Sequence, residues 1–212
     1  MTAPSLSLPQ RNATLTLGSG ETLDVREFLV EERVSSLFAV RVLAVSPLAQ
    51  LDFDAVVGHE AEFGLRTLAG TRTWRGFATN VELRAIEEGG LSTYELTLAP
   101  RLWFATQRRN YRVFQQVSEL AVAARVLATE WQIEPELRLS SEHRARDYKV
   151  QYAESDYAFL SRLLEDSGVS FFFSFDGGQT RVVLADAPQD AAPSAPLRYR
   201  PNLSGAAHTT ER

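Results

Sequence analysis

Residues 148–186 read YKVQYAESDYAFLSRLLEDSGVSFFFSFDGGQTRVVLAD. Strand, capped helix, strand, turn and strand follow one another in this stretch with almost no spare residues. Ser155 stands where a helix needs an N-cap, and Asp156 adds an acid to the first turn, which the positive end of the helix dipole favours. Phe159, Leu160, Leu163 and Leu164 recur on one face of a helix predicted over 156–167, and Gly168 sits where such a helix stops. A hairpin over 169–184 then turns across Asp176-Gly177-Gly178. Full burial of a Phe or Leu side chain is worth ~1.5–3 kcal/mol, so Phe159, Leu163, Phe171 and Phe173 suffice to fix helix against hairpin. The stretch contains nothing built for bond-making chemistry. It reads as a scaffold.

Upstream, Ser118 caps a second helix predicted over 119–130, with Leu120, Ala123, Ala124 and Leu127 as its inner stripe, extended by Trp131. Pro135 prevents its easy continuation. The first hundred residues are strand-rich. Residues 12–17 alternate at Ala13, Leu15 and Leu17, and Ala61, Phe63 and Leu65 give a clean period of two. Residues 37–45 (LFAVRVLAV) are nearly all apolar, as expected of a strand covered on both faces. Ser46-Pro47 ends it. Residues 51–58 read as a turn or short helix closed by Gly58. Residues 73–86 and 91–99 flank the turn 87–90 as a long hairpin. Apolar parity changes within its first arm, from Trp74, Gly76 and Ala78 to Val81, Leu83 and Ala85. A one-residue slip moves side chains to the other face, so a bulge is expected near Thr79-Asn80. Long bent hairpins of this kind suit a small barrel or curled sheet. Spacing thus yields a strand-rich first half and a mixed second half.

Composition narrows the function classes. The chain has 212 residues and 44% hydrophobic content, enough for one large or two small domains. Its net charge of −5 argues against a binder that neutralises many phosphates. The absence of cysteine removes disulfide frameworks, Cys-ligated zinc and thiol nucleophiles. Neither a secretory leader nor ~18 consecutive apolar residues is found, so no stable membrane insertion is expected. Synthesis in the cytoplasm without a signal peptide is expected. Of 22 basic residues only Lys149 is a lysine, a bias that codon usage explains without function.

Catalytic signatures are missing. His59, His143 and His208 are far apart and none joins an H-E-x-x-H arrangement, so no metal site is predicted. His59 reads as a surface residue, His143 as part of a solvated loop, and His208 as a tail residue. No nucleophile elbow, P-loop or dinucleotide fingerprint occurs, so no catalytic residue and no cofactor are assigned. Asp52 with Asp54 and Glu87 with Glu88 fall at predicted turns, where acids are routine. Asn12 and Asn202 head glycosylation-type triplets, a weak signal without a secretory leader. One run stands out: Arg101, Arg108, Arg109 and Arg112 interleave with Trp103, Phe104, Tyr111 and Phe114. Arg and aromatics are both enriched at protein interfaces. Arg101, Trp103, Arg108, Arg109, Tyr111 and Arg112 are therefore read as a subunit or tube interface rather than a nucleic-acid site.

Three segments together resemble the N-terminal hub region of VgrG spike proteins of type VI secretion systems, related to contractile-phage baseplate hubs. The first runs from Val25 and Phe28 through Glu32 and Ser36 to Phe38 and Arg41, then residues 51–58. The second is residues 77–102, ending in the run from Leu96 to Trp103. The third is Phe114-Gln115, then Gln151-Tyr152-x-Glu154-Ser155-Asp156, Phe159, Arg162-Leu163, Glu165, Gly168 and Phe172-Phe173. The resemblance implies an α+β, predominantly antiparallel β fold. It would have a barrel-like strand-rich first domain (1–102) and a smaller α+β domain (103–186) with two helices and a C-terminal hairpin. A Pro/Ala-rich linker over 187–212 would open a missing continuation, which makes the chain an N-terminal hub fragment or a shortened member. The resemblance further implies a homotrimer in the full-length protein, contacts with an inner-tube protein and with spike-tip or effector proteins, export by the machine, and no enzymatic activity. The alternative is a phage baseplate hub or a tail-associated cell-wall hydrolase component.

Overall fold

The computed structural model describes residues 12–46, 51–67, 70–86 and 90–190. Its first half is a closed six-stranded barrel. Strands β1 (Ala13–Leu17), β2 (Thr22–Glu31), β3 (Ala39–Ser46), β4 (Glu60–Thr67), β5 (Gly70–Ile86) and β6 (Ser92–Ala99) pair antiparallel in the order β1-β2-β3-β6-β5-β4, and β4 closes back on β1. Closure removes the unpaired edges that an open sheet would present. Leu15, Val40, Val42, Ala44, Phe63, Leu96 and Leu98 fill the interior with no exposed surface.

The expectation that residues 37–45 are covered on both faces needs correction. Val40, Val42 and Ala44 point inward, but Arg41 on the opposite parity is exposed and Leu43 only half-buried. A barrel has one dry side, so a nearly all-apolar strand need not be dry on both. The parity change in the long hairpin is a real register shift, lying between Ala78 and Asn80, with a second one between Leu83 and Ala85. Past the bulge Val81 still packs on the barrel core, whereas Leu83 is 42% and Ile86 66% exposed. The expected turn at 87–89, the strand end at Pro47 and the linker beyond 190 lie outside the described residues. Residues 51–58 contain the short helix α1 (Phe53–Val56), capped by Asp52, whose side chain accepts from the Asp54 amide.

The second half has its own core. A 3-10 segment (Arg101–Thr106) leads into β7 (Arg109–Val117), α2 (Glu119–Trp131), β8 (Glu136–Arg138), β9 (Arg146–Ser155), α3 (Asp156–Asp166), β10 (Ser170–Ser174) and β11 (Arg181–Ala185). Ser118 Oγ accepts from the Ala121 amide and Ser155 Oγ from the Ala158 amide, as their positions required. The buried stripe of α2 is Leu120, Val122, Ala123, Val126 and Leu127, so Val122 and Val126 replace Ala124 in the reading from periodicity. Helix α2 ends without glycine, on Gln132 at φ 54°, whose amide donates to the Ala128 and Leu127 carbonyls. After α3, Gly168 takes φ +69°, a conformation that a side chain would strain. The hairpin β10–β11 gains an unforeseen third strand, because β8 adds parallel to β11. Strand β7 pairs antiparallel with β9 as a separate ribbon.

Phe173 joins the two cores, packing against both, and meets Phe38 of the barrel edge-on at 5.1 Å. Phe175 adds contacts to Phe38 and Trp74. Hydrogen bonds to backbone carbonyls reinforce the joint: the Ser35 amide donates to the Phe171 carbonyl at 2.7 Å, and the Thr180 hydroxyl Oγ1 donates to the Arg75 carbonyl at 2.6 Å.

Candidate functional site

The arginine-aromatic run lies where the barrel hands over to the second lobe. Pro100 takes an extended conformation and starts the 3-10 segment, which places Phe104 against Phe77 of the barrel at 5.1 Å and Trp103 against Phe104 at 5.5 Å. Arg101 reaches across to the end of α2, donating from Nε to the Trp131 carbonyl at 2.8 Å and from Nη2 to Gln132 Oε1 at 3.0 Å. A cation at that end suits both the orphan carbonyls and the negative pole of the helix.

Arg108 and Arg112 turn inward to Asp156, which is completely buried at the first position of α3. Arg108 donates to Asp156 Oδ2 from Nε at 2.9 Å and from Nη2 at 2.6 Å. Arg112 Nη1 donates to Asp156 Oδ1 at 3.0 Å, and Gln151 Nε2 to the same oxygen at 2.8 Å. Glu130 of α2 pairs with both arginines, at 2.7 Å and 3.2 Å. The Arg108 guanidinium also lies 4.5 Å over the Trp131 ring. Asp156 thus ties β7 and β9 to α3, with its oxygens filled by donors, and Glu130 brings α2 onto the same arginines. Burying a charge is tolerable only with such pairing.

A second brace forms one strand-length away. Glu119, nearly buried at the start of α2, accepts from Arg146 Nε at 3.0 Å and pairs with Lys149 Nζ at 3.0 Å, while Lys149 also reaches Asp166 at 2.8 Å. Burial pushes the Glu119 carboxyl up, but the hydrogen bonds from Lys149, its own amide and Arg146 outweigh it and hold the pKa below the usual value. The Lys149 hydrogen bond lowers Asp166 in the same way, and the two acids raise Lys149.

Of the six residues expected at an interface, Arg101, Arg108 and Arg112 are engaged within the chain and Trp103 is half-buried. Arg109 and Tyr111 are exposed. Tyr111 meets Tyr152 edge-on at 5.2 Å, and these rings are 66% and 75% exposed. The sequence places Asp156 in the first turn of a helix and within the hub-like motif, without indicating its partners. Its position five residues after Gln151 and its two arginine partners, 44 and 48 residues away, leave no local signal.

A cleft of about 560 Å³ separates barrel from second lobe, lined by Glu62, Arg75, Phe77, Arg101, Phe173 and Arg181 among others. Glu62 is ion-paired with Arg75. Among the described residues the acids with a shifted pKa, Glu119, Asp166 and Asp186, all move downward, opposite to what a general acid requires. Among the described residues, no three His, Cys, Asp or Glu side chains group to hold a metal ion. His59 is exposed, as expected, and His208 lies outside the described residues. His143 departs from the solvated-loop reading: its side chain is 14% exposed, with Nε2 3.5 Å from Asp186. The turn 140–143 closes on that carboxylate, which accepts from the Ser140 and Ser141 amides. No described helix is long and apolar enough to cross a membrane.

Comparison with known proteins places this architecture. The family model for the phage tail baseplate hub (GPD) matches residues 31–212. The chain is similar to the type VI secretion system spike protein VgrG4b of Pseudomonas aeruginosa, 32% identical over 182 residues, covering 84% of this chain and 22% of that protein. VgrG1c of the same organism is 29% identical over 168 residues, covering 79% of this chain and 23% of the relative. The chain therefore spans less than a quarter of these relatives. Among solved structures, the E. coli c3393 protein is described as a type VI secretion component similar in structure to the T4 tail proteins gp27 and gp5. It superposes with a TM-score of 0.75 at 24% identity, over 81% of this chain and 48% of that one. The 43 kDa tail protein of prophage MuSo2 from Shewanella oneidensis gives 0.58 at 13% identity, over 82% of this chain and 54% of that one. The two structures share the fold, and the family match covers all but the first thirty residues: the chain belongs to the phage tail baseplate hub family, as a counterpart of the hub region of VgrG spike proteins.

Proposed function

We propose that this chain is a structural, non-enzymatic hub segment of a type VI secretion spike, joining inner tube to spike and serving in effector delivery. The observation that carries this reading is the way charge is spent. The second lobe commits its buried acids and most of its arginine run to bracing one helix pair against one ribbon, leaving a rigid body rather than a reactive cleft. A part that transmits force between tube and spike needs that rigidity. The division into a barrel domain over 1–102 and an α+β domain over 103–186 belongs to the same proposal, supported by the two cores that meet at Phe173.

Contact with neighbouring subunits or the tube is assigned to the far end of the β5–β6 hairpin, where Leu83 and Ile86 are exposed beyond the barrel, together with Arg109. Homotrimerisation of the longer protein and its encounter with an inner-tube protein belong to the same proposal, supported by the similarity to type VI secretion spike proteins. The test is to co-express a full-length form with its inner-tube partner and determine the mass of the assembly. A trimer that co-purifies with tube protein, and loses it when Leu83 and Ile86 become Asp, is expected. A strictly monomeric full-length protein would sink the proposal. The hydrolase alternative predicts cell-wall cleavage that disappears on replacing Glu62 or another cleft acid.

A further inference from the structure

Among the described residues twelve large apolar side chains stand exposed, and eight of them gather in two places, one on each lobe. The first is the end of the barrel. Leu83 lies opposite Tyr94 and Ile86 opposite Ser92 across the β5–β6 hairpin, so the second register shift keeps both on one face. Phe53 of α1 meets Tyr94 edge-on at 6.1 Å, and Val57 follows at the end of that helix. Phe53, Val57, Leu83 and Ile86 are 40–66% exposed. The second place is the outer face of the β7–β9 ribbon. Its inner face is spent on α3, where Phe114 stacks on Phe159 at 5.8 Å. Outward, Tyr111 stands opposite Tyr152, Val113 opposite Val150, and Gln115 opposite Tyr148. Tyr111, Val113, Tyr148 and Tyr152 are 57–75% exposed.

The two patches differ in charge. At the barrel end Asp52 and Asp54 are exposed and pair with no cation among the described residues. With Phe53, Leu83 and Tyr94 they line a depression of about 540 Å³. On the hairpin's other face Arg84 is already paired with both Glu82 and Glu95, so this end carries an excess of carboxylates. The ribbon face is the reverse. Arg109 extends it, exposed and without a carboxylate partner among the described residues, and none of its outward positions is acidic.

Opposite charge selects unlike pairing. Two barrel ends meeting would crowd uncompensated carboxylates, and two ribbon faces would bring like arginines together. A barrel end against a ribbon face instead offers the aspartates one free guanidinium and the tyrosine hydroxyls as donors. Size agrees. Side chains of these kinds leave on the order of 450 Å² uncovered on the ribbon and about 350 Å² at the barrel end. Apolar atoms supply about 57% of a typical interface, so covering both patches buries roughly 1,400 Å² in total, within the roughly 1,200–2,000 Å² of a stable specific contact. A contact between unlike patches repeats from copy to copy and gives a ring where the rotation closes.

We propose that the outer face of the β7–β9 ribbon receives the barrel end of a second copy of this chain, with Phe53 and Leu83 against Tyr111 and Tyr152 and Asp54 beside Arg109. This rests on the reading of the hairpin end as a contact surface and names what that surface meets. The chain has no cysteine, so introduced thiols report without background. One batch of the 212-residue chain carries Tyr152→Cys and another Leu83→Cys. The two are mixed at rising concentration and oxidised mildly, and the products are sorted by mass. Disulfides joining position 83 of one copy to position 152 of another are expected to exceed both like-with-like products, with a yield that rises with concentration. In sedimentation, Arg109→Glu should weaken self-association about tenfold, and adding Asp54→Arg should restore it. Both positions are exposed and outside the two cores, so folding survives these changes. A chain that stays monomeric at every concentration, disulfides only between like positions, or a charge swap without rescue overturns the proposal. Co-purification with tube protein that is lost on replacing Leu83 and Ile86 but indifferent to Arg109→Glu overturns this pairing while leaving the tube reading in place.

Discussion

Removing Asp156 tests the idea that one buried carboxylate organises the second lobe. In Asp156→Ala, Arg108 Nε and Nη2, Arg112 Nη1 and Gln151 Nε2 all lose the Asp156 carboxylate in a single step, although Nη2, Nη1 and Nε2 each keep one other acceptor. Breaking a buried ion pair from one side costs about 3–5 kcal/mol. Here the lower end applies, because the Arg108 side chain is 40% exposed and can rehydrate, and Glu130 remains to hold both guanidinium groups. Loss of a first-turn acid adds about 0.3–1 kcal/mol at the helix dipole. A total near 3–4 kcal/mol is expected. With a urea m-value of about 1–3 kcal/mol/M, the midpoint should fall by at least ~1 M. Trp131, whose ring carries Arg108 at 4.5 Å, reports the second lobe by fluorescence, and far-UV ellipticity follows the strands of the barrel. Asp156→Asn is the sharper variant. It keeps the shape, but the four atoms that reach the carboxylate, from Arg108, Arg112 and Gln151, are all donors, so its NH₂ group faces a donor on either side, and it should lose at least ~2 kcal/mol. Adding Arg112→Ala to Asp156→Ala should cost less than Arg112→Ala alone, by about 1–3 kcal/mol. An Asn variant as stable as the parent, or strict additivity with Arg112→Ala, would refute the reasoning.

Three further outcomes are expected. Phe173→Ala removes the ring shared by both cores and should cost about 3 kcal/mol; a single calorimetric transition should split into two, and one unsplit peak would count against the shared-ring account. Gly76→Ala would place a Cβ 2.4 Å from the Ala99 carbonyl oxygen across the β5–β6 pair, so the barrel should lose about 1–3 kcal/mol in thermal unfolding, whereas the same change at a roomy site would not crowd backbone. The Asp186 carboxyl is held at about 2, against 3.8, chiefly by the Ser140 amide hydrogen bond; burial opposes this, and the Ser141 amide adds to it. Its pKa is depressed in the folded state, so its contribution is present above about pH 4 and is lost as pH falls towards 2. Asp186→Asn should therefore narrow its stability gap to the parent across that window, as followed by acid titration of ellipticity.

Local rules reached a large part of this molecule. Both helices begin at Ser118 and Ser155 because a side-chain oxygen must meet amides that have no partner in the first turn, a requirement visible within four residues. The bulge after Ala78 was legible because side-chain parity in a strand has a period of two and cannot change without an extra residue. Strand β8 was not legible: three residues after Pro135 carry no periodicity, and only β11, arriving 45 residues later, gives them a partner. The arginine-aromatic run is divided by the fold, since alternate residues of β7 point to opposite faces: Arg112 goes to Asp156 and Tyr111 to the outside.

The sequence alone determined the two helices with their serine N-caps, most strands of the first half, the first bulge and the kinship with hub proteins, because these depend on near neighbours and on motifs carried in order along the chain. Only the tertiary structure decided that the six strands close, that Phe173 serves two cores, and that Asp156 gathers arginines from 44 and 48 residues away. Closure and charge pairing are properties of what meets across space. The capped stretch from Tyr148 to Asp186 foretold its helix and hairpin, but its buried acid acquired a role only when β7 was laid beside β9.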